Sequence, residues 1–323
     1  MIVERRISIL RLLKIIWLEL LLMFLVATIT VVPLVYFDLS RFALDRSIPQ
    51  IFGTAIAIFL GFRTNSAYER WWEARRLWGG ILNDSLNLGR QVRDFTIAET
   101  SNHEGQDEIG DCSLPSKSLA QEVCYRQIAW AHVFSRQLKG TPIDREIEAL
   151  LDSTEYQEVQ RVADPAWYLL LKQGEAFATA YRSGRFDSMQ NRVIQETLSR
   201  LTALMGGCNR IRKTNFPTHY SYFTRVFVWM FLILLGLSLP SYQGFDGAAD
   251  SVVAFIGIPA IVLIGWVFFM VDGIGSYMQS PFADNRNVIP MEALTRQIEI
   301  DLRMALDETE IPAPLQPSEG ALL

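Results

Sequence analysis

His103, His132 and His219 are the only histidines among 323 residues, and they are the first side chains to test for chemistry. No two of them share an H-x-x-x-H spacing and none has a thiolate neighbour, so they offer no ready metal set. Asp107, Glu108 and Asp111 gather in the polar stretch 100–118, TSNHEGQDEIGDCSLPSKS, where a solvated acidic loop is a plainer reading than a hard-cation site. Cys112, Cys124 and Cys208 are odd in number and lack a C-x-x-C pair, which suits reduced thiols facing a cytosol. G-x-G-x-x-G, P-loop and G-x-S-x-G motifs are absent, so the sequence predicts neither a reaction centre nor a cofactor.

Chemistry of another kind is written in residues 48–78, IPQIFGTAIAIFLGFRTNSAYERWWEARRLW. A charge-free apolar helix runs into a polar, Trp-rich amphipathic stretch with no loop-forming sequence between. Gly53, Ala57 and Gly61 fall at i, i+4 and i+8, the small-residue spacing that lets membrane helices approach closely. One row over, Thr54, Ile58 and Phe62 form a column of increasing bulk. If several copies pack through the small row, the bulky row faces a shared axis and makes a narrow apolar neck, which gates by dewetting. From periodicity alone, packing of both rows inside a one-chain bundle is the plainer reading.

The elements that must position this helix follow from composition. Half of the residues are hydrophobic while 20% are charged, and a mean hydropathy of +0.17 is high for a soluble protein. A net charge of −5 provides no basic stripe for a phosphate backbone, so nucleic acid is excluded as a partner. Residues 20–37, 226–240 and 251–271 are apolar runs suited to crossing about 30 Å of hydrocarbon. Residues 47–62 are shorter and contain Pro49, Gly53 and Gly61, which suits a protein-lined centre better than a lipid-facing span. Arg5, Arg6, Arg11 and Lys14 resemble a signal-peptide n-region, but the following apolar run is long and lacks a small-x-small cleavage site, so a retained helix is expected. Basic residues gather before the first span, after the second and before the third, which places both termini and the middle region in the cytosol.

The middle region, 63–220, reads as helical. Apolar residues recur at helical spacing over 119–139 and 144–160, and Pro165 opens a further helix through 183. Met189, Val193, Thr197, Leu201, Leu204, Cys208 and Ile211 form one more stripe. Residues 100–118 are expected to be a loop, and IPAPLQPSEGALL from Ile311 a disordered tail. Hydropathy divides the chain into 1–62, 63–220, 221–272 and 273–323.

GTAIAIFLGFRTNSAYERWWEARRLWG at 53–79, GGCNRI at 206–211 followed by FPTHYSY, and PFADNRNVIP at 281–290 followed by EIDL at 299–302 together resemble the bestrophin family, in particular its bacterial branch. The similarity runs from near Arg5 to about Pro312. The resemblance implies an all-α membrane protein with four transmembrane helices per subunit and a large helical cytosolic domain, assembled as a homopentamer around a central pore. It implies an ion channel of the bacterial inner membrane whose partners are copies of itself, membrane lipid and small monovalent ions.

Carried over from the resemblance, Thr54, Ile58 and Phe62 fall on the family's neck positions, and Thr54 departs from the larger apolar residue usual there. A second, cytosolic constriction falls near Met189 and Gln190; by periodicity alone Met189 reads as helix packing and Gln190 as solvated. Animal members bind calcium with an acidic cluster after the fourth span, whereas this chain has Tyr277, Met278, Gln279 and Ser280 there, with only Asp272 and Asp284 nearby. No calcium gating by that route is expected. Trp71 and Trp72 match a family pair and read as interfacial anchors or vestibule packing. For selectivity, Arg63 favours anions if it faces the lumen, and Glu69, nearer the neck column on a helical wheel, favours cations. Chloride stands first through the family label, a monovalent cation is the alternative, and a membrane-anchored helical scaffold or sensor without a pore is the rival from another class.

Overall fold

The computed structural model describes residues 9–37, 42–103, 113–143, 145–214, 218–239, 250–283 and 289–316. Among them are nine α-helices and no strand. In chain order these are α1 (Ile9–Tyr36), α2 (Ser47–His103), α3 (Ser113–Lys139), α4 (Ser153–Arg161), α5 (Pro165–Arg182), α6 (Ser188–Lys213), α7 (Thr218–Ser238), α8 (Asp250–Met278) and α9 (Met291–Ala305). The chain divides into two compact units, Glu4–Trp71 with Asn215–Ser280, and Trp72–Thr214 with Pro281–Leu323.

The first unit packs α1, α7, α8 and the start of α2 around Met23, Ala27, Val31, Ile56, Leu60, Val228, Leu232 and Ile261. Close approach needs small residues: a Cβ on Gly265 would meet Leu232 at 2.9 Å and the Met23 sulfur at 3.1 Å. Ile16–Val35 and Ile256–Met278 are long and apolar enough to cross a membrane, and Tyr222–Ser238 is a shorter apolar helix. Trp17, Ile29, Ile256 and Leu263 point outward from this unit, an apolar exterior that suits hydrocarbon. Residues 47–62 begin a single helix of 57 residues. The unit boundary on α2 lies between Trp71 and Trp72, beyond the division drawn from hydropathy after residue 62, because Arg63 and Arg70 still bond to α8 and its C-terminal end.

The second unit is a helical bundle whose centre is an aromatic stack. Trp130 and Phe134, one turn apart on α3, lie with ring centres 5.5 Å apart, and Trp78 of α2 stacks on Phe134 at 6.0 Å. Helix starts follow local chemistry. Asp164 accepts from the Trp167 N–H with Pro165 opening α5, and Asp187 and Gln190 form a reciprocal capping box at the start of α6. Two expectations need correction. The stretch 144–160 is not one helix: Asp152 accepts from the Thr154 N–H and starts α4 afresh after a short 3-10 turn at Arg145–Leu150. Helical structure also enters the expected loop 100–118 from both sides, to His103 and from Ser113, while 104–112 lie outside the described residues. Residues 311–316 have no regular structure.

Helix α9 docks along α3 through charge. Lys139 donates to Glu292 at 2.7 Å, and Glu299 is flanked by Arg296, Arg303 and His132 at 2.8, 3.0 and 3.6 Å. Burial works against both carboxylates, yet the hydrogen bonds and charges of Lys139 and His132 and the neighbouring arginines hold them below the ordinary glutamate value of 4.5. Groups with a lowered folded-state pKa stabilise above the unfolded value and lose that contribution as pH falls through the folded one. Helix α9 therefore loosens from α3 below about pH 4.5, which hydrogen exchange of α9 amides in a pH series will show; the Glu292→Gln, Glu299→Gln chain should have a flatter acid limb. Truncating the stack by Phe134→Ala should cost about 3–5 kcal/mol in denaturant unfolding, against well under half of that for Trp167→Ala on the half-exposed face of α5.

Candidate functional site

One face of α2 is turned into its unit and the opposite face is left uncovered. Gly53, Ile56, Leu60, Arg63 and Ala67 are buried, at alternating spacings of three and four. Ile51, Thr54, Ile58, Phe62, Asn65 and Glu69 are exposed and follow the same spacing on the other side. Ile58 is 56% and Phe62 69% exposed, so the described residues of the chain leave most of these apolar side chains uncovered. The Thr54 hydroxyl donates back to the Gln50 carbonyl at 2.8 Å, leaving its oxygen lone pairs outward. Below Phe62 the exposed face turns polar, with the Asn65 amide donating to Glu69 at 2.9 Å.

The small-residue row does not share one environment. Gly53 is buried where a Cβ would meet the Phe231 ring at 2.7 Å, so it serves packing between α2 and α7 of the same chain. Ala57 and Gly61 are exposed, and Gly61 has open space where a side chain would stand.

Arg63 lies on the buried face of α2, so its burial lends no support to the condition, facing a lumen, under which it was expected to favour anions. It is 1% exposed, ion-paired with Asp272 of α8 and donating to the Ser276 hydroxyl at 2.9 Å. Arg225 of α7 donates to the other Asp272 oxygen at 3.3 Å. A guanidinium in an apolar bundle is too costly without a counter-charge, and half a turn of α2 carries it to the side where one is available. The same pairs occupy Asp272 on both oxygens, so its carboxylate is committed to arginine. Asp284 lies outside the described residues, and the Gln279 carbonyl accepts from Arg70 at 2.8 Å. Sequence reasoning missed the Arg63–Asp272–Arg225 cluster, although each member stands alone at the border of an apolar run, a signal that could have paired them.

In the second unit, Met189 is 64% exposed at the start of α6 and does not pack into its helix bundle. The Gln190 side chain accepts from the Asp187 N–H at 2.9 Å as part of the capping box, so it is held at the helix start instead of being solvated freely. Tyr68 and Trp71 stack at 6.2 Å, and Trp72 is half exposed.

The remaining candidates do not converge. His132 faces Glu299 on α9; His103 ends α2 and His219 lies near the start of α7. Cys124 and Cys208 are free and buried, and burial pushes both thiols up to about 12. Cys112, Asp107, Glu108 and Asp111 lie outside the described residues. Among the described residues no three His, Cys, Asp or Glu side chains are grouped to hold a metal.

Comparison with known proteins adds a family. The profile of the bacterial/fungal bestrophin proteins matches residues 5–304. Escherichia coli K12 has a relative 31% identical over 268 residues, 83% of this chain and 79% of the relative, which bears the name voltage-dependent anion channel-forming protein YneE. A protein of the same name from Salmonella typhi is 29% identical over 301 residues, 93% of this chain and 90% of the relative. The crystal structure of a bacterial bestrophin homolog from Klebsiella pneumoniae superposes with a TM-score of 0.77 at 23% identity, over 91% of this chain and 100% of that one. The uncovered column on α2 and the buried charges behind it thus sit in a fold shared with that homolog, and this chain belongs to the bacterial and fungal bestrophin family.

Proposed function

We propose that this chain is one subunit of a homopentameric channel that conducts small monovalent ions, chloride first, across a bacterial inner membrane, with four membrane helices per subunit and both termini in the cytosol. The reading is carried by the column Thr54, Ile58 and Phe62, which its own subunit leaves bare on the first turns of α2 while Arg63 of the same helix is buried. Five such columns around an axis form an apolar neck that ions cross only when it wets. The anion-channel names of the Escherichia coli and Salmonella relatives support chloride. Met189, exposed where Gln190 is held in the cap, forms the cytosolic constriction. Such a channel passes ions down their gradients and needs no catalytic group.

A second selectivity reading rests on one observation. The charge next along the exposed face is Glu69, while Arg63 is withheld from it, and a ring of carboxylates below the neck favours cations. Asn65 holds that carboxylate in place.

Reversal potentials in planar bilayers under a KCl gradient separate the two. A reversal near the chloride equilibrium potential supports the anion channel; one near that of potassium, moved back toward zero by Glu69→Gln, supports the cation channel. Ile58→Ala and Phe62→Ala each shorten or widen the apolar neck and should raise single-channel conductance severalfold without changing the assembly's size. A well-folded assembly that passes no current, in the native chain and in both alanine variants, returns the protein to the pore-free scaffold.

A further inference from the structure

We propose that Arg63, Asp272 and Arg225 form an electrostatic latch that sets the rotation of α2 about its axis, making Asp272 and Arg63 positioning residues for the neck column; this rests on the channel reading above. The latch lies directly below Phe62, where α2 is joined to α8 at several points. Arg63 pairs with Asp272 and donates to Ser276 at 2.9 Å, while the Ser276 hydroxyl donates back to the Asp272 carbonyl at 2.9 Å. In the amide orientation its neighbours favour, Gln279 accepts from Arg63 at 3.1 and 3.2 Å. Two turns on, Arg70 donates to the Gln279 carbonyl at 2.8 Å. Between these contacts the helices nearly touch, because a Cβ on Gly275 would meet the Thr64 hydroxyl at 3.3 Å and its Cα at 3.7 Å.

Arg63 lies on the side of the helix opposite Thr54, and its register with Ile58 and Phe62 is fixed by the helical repeat. Holding the guanidinium on Asp272 therefore holds the column outward. Close packing limits how far the helices can slide, and a buried ion pair with hydrogen bonds on both partners adds a directional constraint on rotation. Arg225 makes the cluster asymmetric. Its side chain is largely exposed, yet it supplies a second positive charge to the carboxylate. Loss of Arg63 leaves Asp272 compensated by Arg225, whereas loss of Asp272 removes the carboxylate that both arginines share. Arg225→Gln should be close to native, Arg63→Gln should fold but lose the rotational lock, and Asp272→Asn should be the most disruptive.

The test reads rotation directly and does not depend on current. With Cys112 replaced by Ser, a single cysteine is placed at Ile58 or at Phe59, whose ring packs on Phe227 at 6.3 Å, and modification by a charged methanethiosulfonate is followed by mass in lipid nanodiscs. In the Arg63 background, position 58 should react and position 59 should be protected. With Arg63→Gln the contrast should fall severalfold as 59 becomes reactive, while size and helicity stay native; where the channel conducts, its unitary conductance should change in parallel. An unchanged 58-to-59 contrast in well-folded Arg63→Gln assemblies overturns the latch. Absence of current from the native chain, with the contrast intact and lost in the variant, overturns the channel reading alone.

Discussion

A guanidinium cannot be left unpaired among apolar helices, and that requirement organises the first unit. Arg63 reaches Asp272 across 209 residues of chain, and Arg225 completes the set from a third helix. The arrangement costs desolvation, which the shared Asp272 carboxylate offsets by pairing with an arginine from α2 and one from α7. The rest of the unit is a buried apolar core around Met23, Ala27, Leu60 and Leu232. Gly53 under Phe231 and Gly265 under Leu232 allow the helices to approach closely.

With Arg63 turned inward, the exposed face of α2 takes on its composition by default. It runs from Ile51 through Thr54, Ile58 and Phe62 to Asn65 and Glu69, apolar first and polar after. Exposed apolar residues in such a row are a surface that asks for cover by hydrocarbon or another copy. The polarity change along one uninterrupted helix is tolerated because its backbone hydrogen bonds stay internal whatever medium surrounds it.

The second unit is held by different means. Its core is a stack of Trp78, Phe134 and Trp130, buried on every side, and its helix starts are set by Asp152, Asp164 and Asp187. The segment after Pro281 belongs to this unit through α9, whose carboxylates meet the cationic residues of α3. The same local bonding that caps α6 draws in Gln190 and leaves Met189 as the side chain that projects.

Local rules were enough for much of this. The continuity of α2 follows from a stretch with no turn-forming sequence, and Pro165 marks the start of α5 as read, whereas periodicity alone favoured packing both rows of α2 and did not foresee the exposed column. The motif blocks were likewise sufficient for the family, because three ordered segments in a membrane context are specific. Where local signals compete, the sequence was less legible: 144–160 has helical periodicity throughout, yet the Asp152 side chain captures an N–H and restarts the helix. Only the tertiary structure decided what Arg63 does. Its place just inside Phe62 left its direction open, and that direction depends on a carboxylate supplied by a distant helix. A single side chain's partner is a property of helix packing, which periodicity does not encode, and the uncovered face of α2 is what remains once that partner is found.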